Sequence, residues 1–250
     1  MKISATIQAR MGSTRLPGKV LRRICGKPML MFQIERIKQS MLIDEVIITT
    51  SDSRQDDPIE ALAQKLGIPC FRGSENDVLG RVINTLKAFD IELHAEFMGD
   101  NPMPDPALVD TIIGFYLKHS DQYDYVTNGL KTTYPPGLEV SVYPAKILYN
   151  AEKYVTDESL REHVGIHIYQ NNDRYRTHNI EAPPRYYRPD LYLEVDYPED
   201  FEVISKLYEE FYPTNKAFSM AQVLEYLDKN PGLAGRNQNV ERRWKKFRQE

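Results

Sequence analysis
Arg10, Gly12, Ser13, Thr14, Arg15 and Lys19 lie within ten positions of one another. Three cations in such a stretch balance most of the charge of a nucleoside triphosphate. Arginine suits two-point contact with oxyanions, and lysine acts as a mobile point charge. Gly12 lets backbone N–H groups approach a ligand closely, and Ser13 and Thr14 add hydroxyl donors. Any one of these residues is ordinary in a solvated turn. Six together, at the end of an apolar strand, make a polyphosphate loop, because ligands of open α/β sheets bind at strand C-termini. Neither GxxxxGK[ST] nor GxGxxG occurs, so this is not a Walker A loop or a dinucleotide fingerprint.

A second chemical element is acidic. GDNPMPDP at 99–106 places Asp100 at the end of an apolar stretch, beside Gly99 and ahead of Pro102 and Pro104, which stiffen the turn. A carboxylate facing a triphosphate loop suits Mg²⁺, which takes one or two carboxylates together with phosphate oxygens and water. Asp196, in YLEVDYPEDF, also ends an apolar stretch. Asp200 reads as a charge favoured at a helix N-terminus. Positioning and electrostatics of this kind suit chemistry on a polyphosphate without a covalent nucleophile. No G-x-S-x-G or H-E-x-x-H string competes with that chemistry.

The elements that must hold these groups alternate. Ile3, Ala5 and Ile7 alternate with Ser4 and Thr6, which predicts a strand ending near Gln8. Helices are expected over 28–41, from Pro58 to a Gly67 cap, over 77–89 and over 105–120 with Asp105 as N-cap. Strands are expected at 46–50, 68–74 and 95–102. This order means a three-layer α/β fold with a mainly parallel sheet covered on both faces. Right-handed crossovers then bring the loop at 10–19 and the turn at 99–105 to one sheet edge. Beyond Asp124 the spacing predicts strands at 124–129, 137–144, 173–183 and 190–198. It predicts helices at 146–155, 159–171, 198–212 and 219–231. Residues 1–235 are expected to form one domain, with a small substrate lobe inserted at about 128–190. The tail from 236 to 250 is basic, and a solvated helical tail is its simplest reading.

The string QARMGSTRLPGKVL resembles the opening signature of the cytidylyltransferases that make CMP-activated acidic sugars, above all the branch of spore-coat polysaccharide biosynthesis protein F. The resemblance covers roughly residues 1–210, with Val20 where sialate-type enzymes carry Asn. It implies the nucleotide-diphospho-sugar transferase, GT-A-like fold. It implies that Gln8, Ala9, Arg10, Met11, Gly12, Ser13, Arg15, Lys19, Gly99 and Asp100 bind CTP. Arg15, Lys19 and Asp100 would carry catalysis, and Asp100 and Asp196 would hold Mg²⁺. FRGSENDVLGR, TYPPGLEVSVY and REHV match the same branch, which puts Arg72, Asn101, Glu139, Arg161 and His163 on the acceptor side. Relatives of this kind commonly form homodimers. The expected reaction moves CMP from CTP to an acidic sugar-like acceptor. A nucleotide-sugar-dependent glycosyltransferase of the same fold is the alternative, but such enzymes usually show a D-x-D metal motif and the sequence carries none; Asp124, in YDY at 123–125, is isolated and follows a helix. A nucleotide-sensing module without catalysis is the non-enzymatic option, and the retained loop and aspartates count against it.

Composition narrows the setting. At 250 residues the chain can bury a large core. A net charge of −4 argues against a broad nucleic-acid surface, so an anionic substrate has to be drawn in by a local basic site. The opening residues turn polar too early for a signal peptide, and no apolar run reaches the roughly 20 residues of a membrane span. Two cysteines, Cys25 and Cys70, fit a reducing cytoplasm.

Overall fold
The computed structural model describes residues 2–155, 157–171 and 173–246. Its strands are β1 (Ile3–Gln8), β2 (Arg23–Ile24), β3 (Lys27–Pro28), β4 (Glu45–Ser51), β5 (Cys70–Gly73), β6 (Leu93–Met98), β7 (Tyr125–Thr127), β8 (Ser141–Pro144) and β9 (Thr177–Asn179). Its helices include α1 (Met29–Ile37), α2 (Asp57–Leu66), α3 (Val78–Ala88), α4 (Pro106–Lys118), α5 (Ala145–Glu152), α6 (Ile166–Tyr169), α7 (Pro198–Phe211) and α8 (Met220–Lys229). Seven strands form one sheet in the order β5-β4-β1-β6-β8-β7-β9. Only β8 runs against the others, so the sheet is mainly parallel, as the alternation of elements predicts. Gln8 lies opposite both Thr49 and Met98, which aligns the C-terminal ends of β1, β4 and β6 along one edge.

Helices cover both faces. Ile3, Ala5 and Ile7 of β1 join a core with residues of α1, α2, α4, α7 and α8. A second cluster seats α3, α5 and α6 on the opposite face. The polar side of β1 is therefore inside as well: Ser4 and Thr6 are fully buried. Thr6 Oγ1 bonds His94 Nε2 at 2.7 Å, while Glu96 accepts from Gln8 Nε2 at 2.5 Å and from Tyr143 Oη at 2.8 Å. Alternation that ordinarily marks a solvent face here marks a hydrogen-bonded interior.

Glu96 gives this layer a pH signature. Burial pushes its carboxyl from 4.5 up to about 7, against the bonds from Tyr143 and Gln8, which pull it down. An acid raised on folding binds its proton more tightly in the folded state, so stability falls as pH rises from the unfolded to the folded value. Glu96→Gln is expected to remove part of the decline in Tm between pH 5 and 8, up to about 3 kcal/mol at the alkaline end. An unchanged Tm–pH slope in the variant would show that Glu96 does not titrate in that window.

Three sequence expectations change in detail. The helix expected over 28–41 stops at Ile37, because Asp110 of α4 captures Ser40 Oγ and the N–H groups of Met41 and Leu42. Met41, expected on its apolar face, is 87% exposed. The helix expected over 159–171 is a 3₁₀ turn at Glu158–Glu162 and then α6. The strand expected over 190–198 is an irregular extended segment. Leu193 N bonds Pro136 O at 2.7 Å and Val195 N bonds Asp100 O at 2.8 Å, so its backbone partners come from two loops and no ladder forms. Gly137 makes the close approach possible, since a Cβ there would lie 2.3 Å from Glu194 N.

Candidate active site
The loop after β1 is set by its own backbone and by one acid. Met11 O accepts from Ser13 N and Gly18 N, and Ser13 Oγ accepts from Leu16 N, which folds residues 11–18 into a tight turn. Asp56 accepts Met11 N at 2.7 Å and holds Ser51 with its other oxygen. It is 2% exposed. Sequence reasoning overlooked Asp56; the only signal was its place after β4, whose end lies on the same sheet edge. Gly99 N bonds Gln8 O at 2.8 Å, and a Cβ on Gly99 would sit 2.7 Å from that oxygen. Glycine there keeps the ends of β1 and β6 in contact and Asp100 beside the loop.

Lys19 is the hub. It begins a 3₁₀ turn, Lys19–Leu21, and is almost wholly buried. Its Nζ donates to Asp100 Oδ2 at 3.1 Å, Asp196 Oδ1 at 2.9 Å and Val195 O at 2.7 Å. Burial works to lower the ammonium's pKa, but the Asp100 and Asp196 carboxylates outweigh it and hold it above the usual 10.5. Arg15 Nη2 donates to the same Asp196 oxygen at 2.8 Å, and its guanidinium lies against the Tyr197 ring. Arg15 Nη1 is buried with no hydrogen-bond partner among the described residues. Two cations and two carboxylates, from stretches 81 to 181 residues apart, thus meet at one point. Asp196 is nearly enclosed, whereas Asp100 is about one-third exposed.

The residues implicated on the acceptor side divide. Asn101 and Glu139 come together next to Asp100: Glu139 Oε2 accepts from Asn101 Nδ2 at 3.2 Å and Gly137 N at 2.7 Å. Arg161 instead forks onto Asp77, the N-cap of α3, with both bonds at 2.8 Å. His163 ends the same 3₁₀ turn, whose Glu162 reaches Arg10 at 3.1 Å. Arg10 and Glu162 line a cleft with Glu75, Asn76, Glu158 and Ser159. Arg72, on edge strand β5, bonds Ser51 O, Ser53 O, Asp57 and Glu60. Its guanidinium ties β4, β5 and α2 together. Asp124, between Tyr123 and Tyr125, is engaged with Arg176.

Two expectations near the C-terminus are corrected. Asp200 is at the start of α7, as expected, but it is fully buried and both its oxygens bind Arg242. The basic tail is not a solvated helix up to residue 246: Arg242 is 5% exposed, and Trp244 Nε1 donates to Glu194 at 2.6 Å. Buried carboxylates after residue 190 supply the partners that draw these basic residues inward. Residues 247–250, including Arg248, lie outside the described residues.

A basic loop facing two carboxylates across the C-terminal edge of a mainly parallel sheet defines a nucleotidyl-transferring enzyme of the α/β class. The chain belongs to the cytidylyltransferase family, whose model matches residues 5–228. It is 35% identical to the spore coat polysaccharide biosynthesis protein SpsF of Bacillus subtilis over 91% of this chain and 95% of that protein. It is 34% identical to an uncharacterized protein of Methanocaldococcus jannaschii over 100% and 99% of the two chains. A solved cytidylyltransferase from Leptospira borgpetersenii superposes with a TM-score of 0.88 at 29% identity, covering 97% of this chain and 100% of that one. No helix among the described residues is long and apolar enough to cross a membrane.

Proposed function
We propose that this cytidylyltransferase moves CMP from CTP to an acidic sugar-like acceptor used in surface-polysaccharide synthesis, with Mg²⁺, and releases pyrophosphate. The observation that carries the reading is the Lys19 ammonium clasped between Asp100 and Asp196, with Arg15 on the same carboxylate. An acceptor oxygen attacks the α-phosphorus, the bond to the β-phosphate oxygen breaks, and the acceptor's hydroxyl proton is lost. Arg15, through its unpartnered Nη1, binds a phosphate oxygen, and Lys19, whose three protons are committed to Asp100, Asp196 and Val195 O, adds its positive charge beside the phosphates. The Met11–Gly18 turn orients the triphosphate, and Asn101 with Glu139 positions the acceptor beside Asp100. Asp100 and Asp196 fit Mg²⁺: they are hard oxygen donors already converging on one positive charge, and a magnesium site needs no more than two such groups. When bound, the ion supplies charge neutralisation on the phosphates. Two carboxylates suffice without a cluster of three or more acidic, histidine or cysteine side chains, and the described residues contain no such cluster. Support for a role in surface-polysaccharide synthesis comes from the name of the Bacillus relative, and support for an acidic sugar-like acceptor from the resemblance of the motifs at 8–21 and 133–143. A cytoplasmic homodimer is part of the same proposal.

Calorimetry of CTP, UTP, ATP and GTP tests the nucleotide half. CTP is expected to bind at least about tenfold more tightly than the others, a difference of roughly 1.4 kcal/mol. Arg15→Ala is expected to weaken CTP by a further factor of about ten or more. Equal binding of all four triphosphates, or no effect of Arg15→Ala, would overturn the assignment of the loop.

A further inference from the structure
Asp196 belongs to no helix or strand ladder, yet the site above requires its carboxylate to be held closely. What holds it is the C-terminal segment. Asp200 Oδ2 accepts Asp196 N at 2.9 Å and Tyr197 N at 2.8 Å. The same oxygen accepts Arg242 Nη1 at 3.0 Å, and Oδ1 accepts Arg242 Nη2 at 2.6 Å and Asn237 Nδ2 at 2.7 Å. Every oxygen of a fully buried carboxylate is thus committed either to the backbone of the Asp196 segment or to the tail. Arg242 is itself locked: Nη2 also donates to Asn237 O at 3.0 Å, and the guanidinium lies over the Tyr192 ring. A second grip lies two residues upstream of Asp196, where Glu194 receives Trp244 Nε1 and stands 3.3 Å from Arg242.

From this geometry we infer that Arg242 is a positioning residue for Asp196, acting through Asp200, and that residues 237–246 are part of the catalytic apparatus. The inference rests on the reading of Asp196 as a metal-holding carboxylate. A two-point fork fixes the plane of the Asp200 carboxylate, and that plane aims Oδ2 at the Asp196 amide. A lysine would keep the charge and lose the fork. Outer partners that orient a metal-holding group typically tune its affinity by 10–100-fold.

Mn²⁺ affinity, read by electron paramagnetic resonance with CTP and without acceptor, reports the placement of Asp196 independently of turnover. Arg242→Met is expected to weaken Mn²⁺ by about tenfold or more and to lower kcat by a similar factor. KM for CTP and metal-free CTP binding are expected to stay within about twofold, because among the described residues no hydrogen bond or ion pair joins Arg242 to the proposed triphosphate loop. Arg242→Lys is expected to fall between. A purely structural staple would lower Tm and leave Mn²⁺ affinity and kcat unchanged well below the melting temperature, and that result would overturn the inference. Should Arg242→Met not fold, the lysine variant decides: wild-type Mn²⁺ affinity in it overturns the inference equally. Asp196→Asn, in the same titration, separates the two levels. If it keeps wild-type Mn²⁺ affinity, the metal reading falls and the inference with it. If it loses affinity while the folded Arg242 variants do not, the inference alone falls.

Discussion

Asp196→Asn is expected to lower kcat by about 10³-fold and to leave the fold intact. The amide is isosteric and keeps an oxygen where Arg15 Nη2 and Lys19 Nζ now donate, at 2.8 and 2.9 Å. The change therefore removes charge more than contact. Lys19 retains Asp100 and Val195 O, so no ammonium is stranded in the interior. Loss of one carboxylate leaves the site one unit more positive. Metal-free CTP is accordingly expected to bind as well as in the wild type or better, while turnover collapses. Pyrophosphate release measured against Mg²⁺ concentration, with a melting curve of the same sample, checks both halves. A kcat within tenfold of wild type in a folded Asn variant would remove Asp196 from the chemistry.

Lys19→Met carries the second large effect, and its two consequences have opposite signs. Lys19 is the cation that Asp100 and Asp196 now share, and both carboxylates hold it in the charged form through the working pH range. Without it, turnover is expected to fall by about 10²–10³-fold, because a positive charge beside the proposed triphosphate site is gone. The two carboxylates are then relieved of a competing positive charge. At about 4 Å and an effective dielectric near 20 such a pair interacts by roughly 4 kcal/mol, which is ample to change cation binding. Mn²⁺ in the absence of nucleotide is expected to bind Lys19→Met several-fold more tightly than wild type. Stability is expected to drop by roughly 1–3 kcal/mol, since Val195 O loses the Lys19 donor and the buried Asp196 carboxylate keeps only Arg15 on the oxygen the two cations shared. A titration in which the variant binds Mn²⁺ no better than wild type would show that Asp100 and Asp196 do not form a common cation site.

The legible parts of this protein were those encoded over short spans. Asp105 caps α4 by accepting Leu108 N at 3.0 Å, and Gly67 closes α2 with φ 63°, both as the local sequence predicts. The alternation of strands and helices sufficed for a mainly parallel sheet, and the parallel rule placed the 10–19 loop and Asp100 on one edge. Less legible were positions whose role depends on a distant partner. Arg72 was placed on the acceptor side by the resemblance of FRGSENDVLGR alone, and an arginine in a sequence carries no mark of its partners. In the fold it bonds Asp57 and Glu60. The alternation in β1, in a sheet expected to be covered on both faces, did not name the partners of Ser4 and Thr6; only the fold brings His94 to Thr6 and packs α3, α5 and α6 over the sheet.

The amino-acid sequence by itself determined the family, through the string at 8–21, and the class of fold, through the order of its elements and a handedness rule that holds for any parallel crossover; it also singled out the loop at 10–19 and Asp100 as candidates by residue type, and Asp196 mainly by resemblance. Only the tertiary structure decided that Asp100 and Asp196 share Lys19, that Asp56 anchors the loop, and that Arg242 reaches Asp200. The physical reason is that ion pairs and buried carboxylate bonds act over a few ångströms in space, whatever the separation along the chain. Separations of 177 positions from Lys19 to Asp196, and of 42 from Asp200 to Arg242, leave no periodic trace by which either pairing could be read.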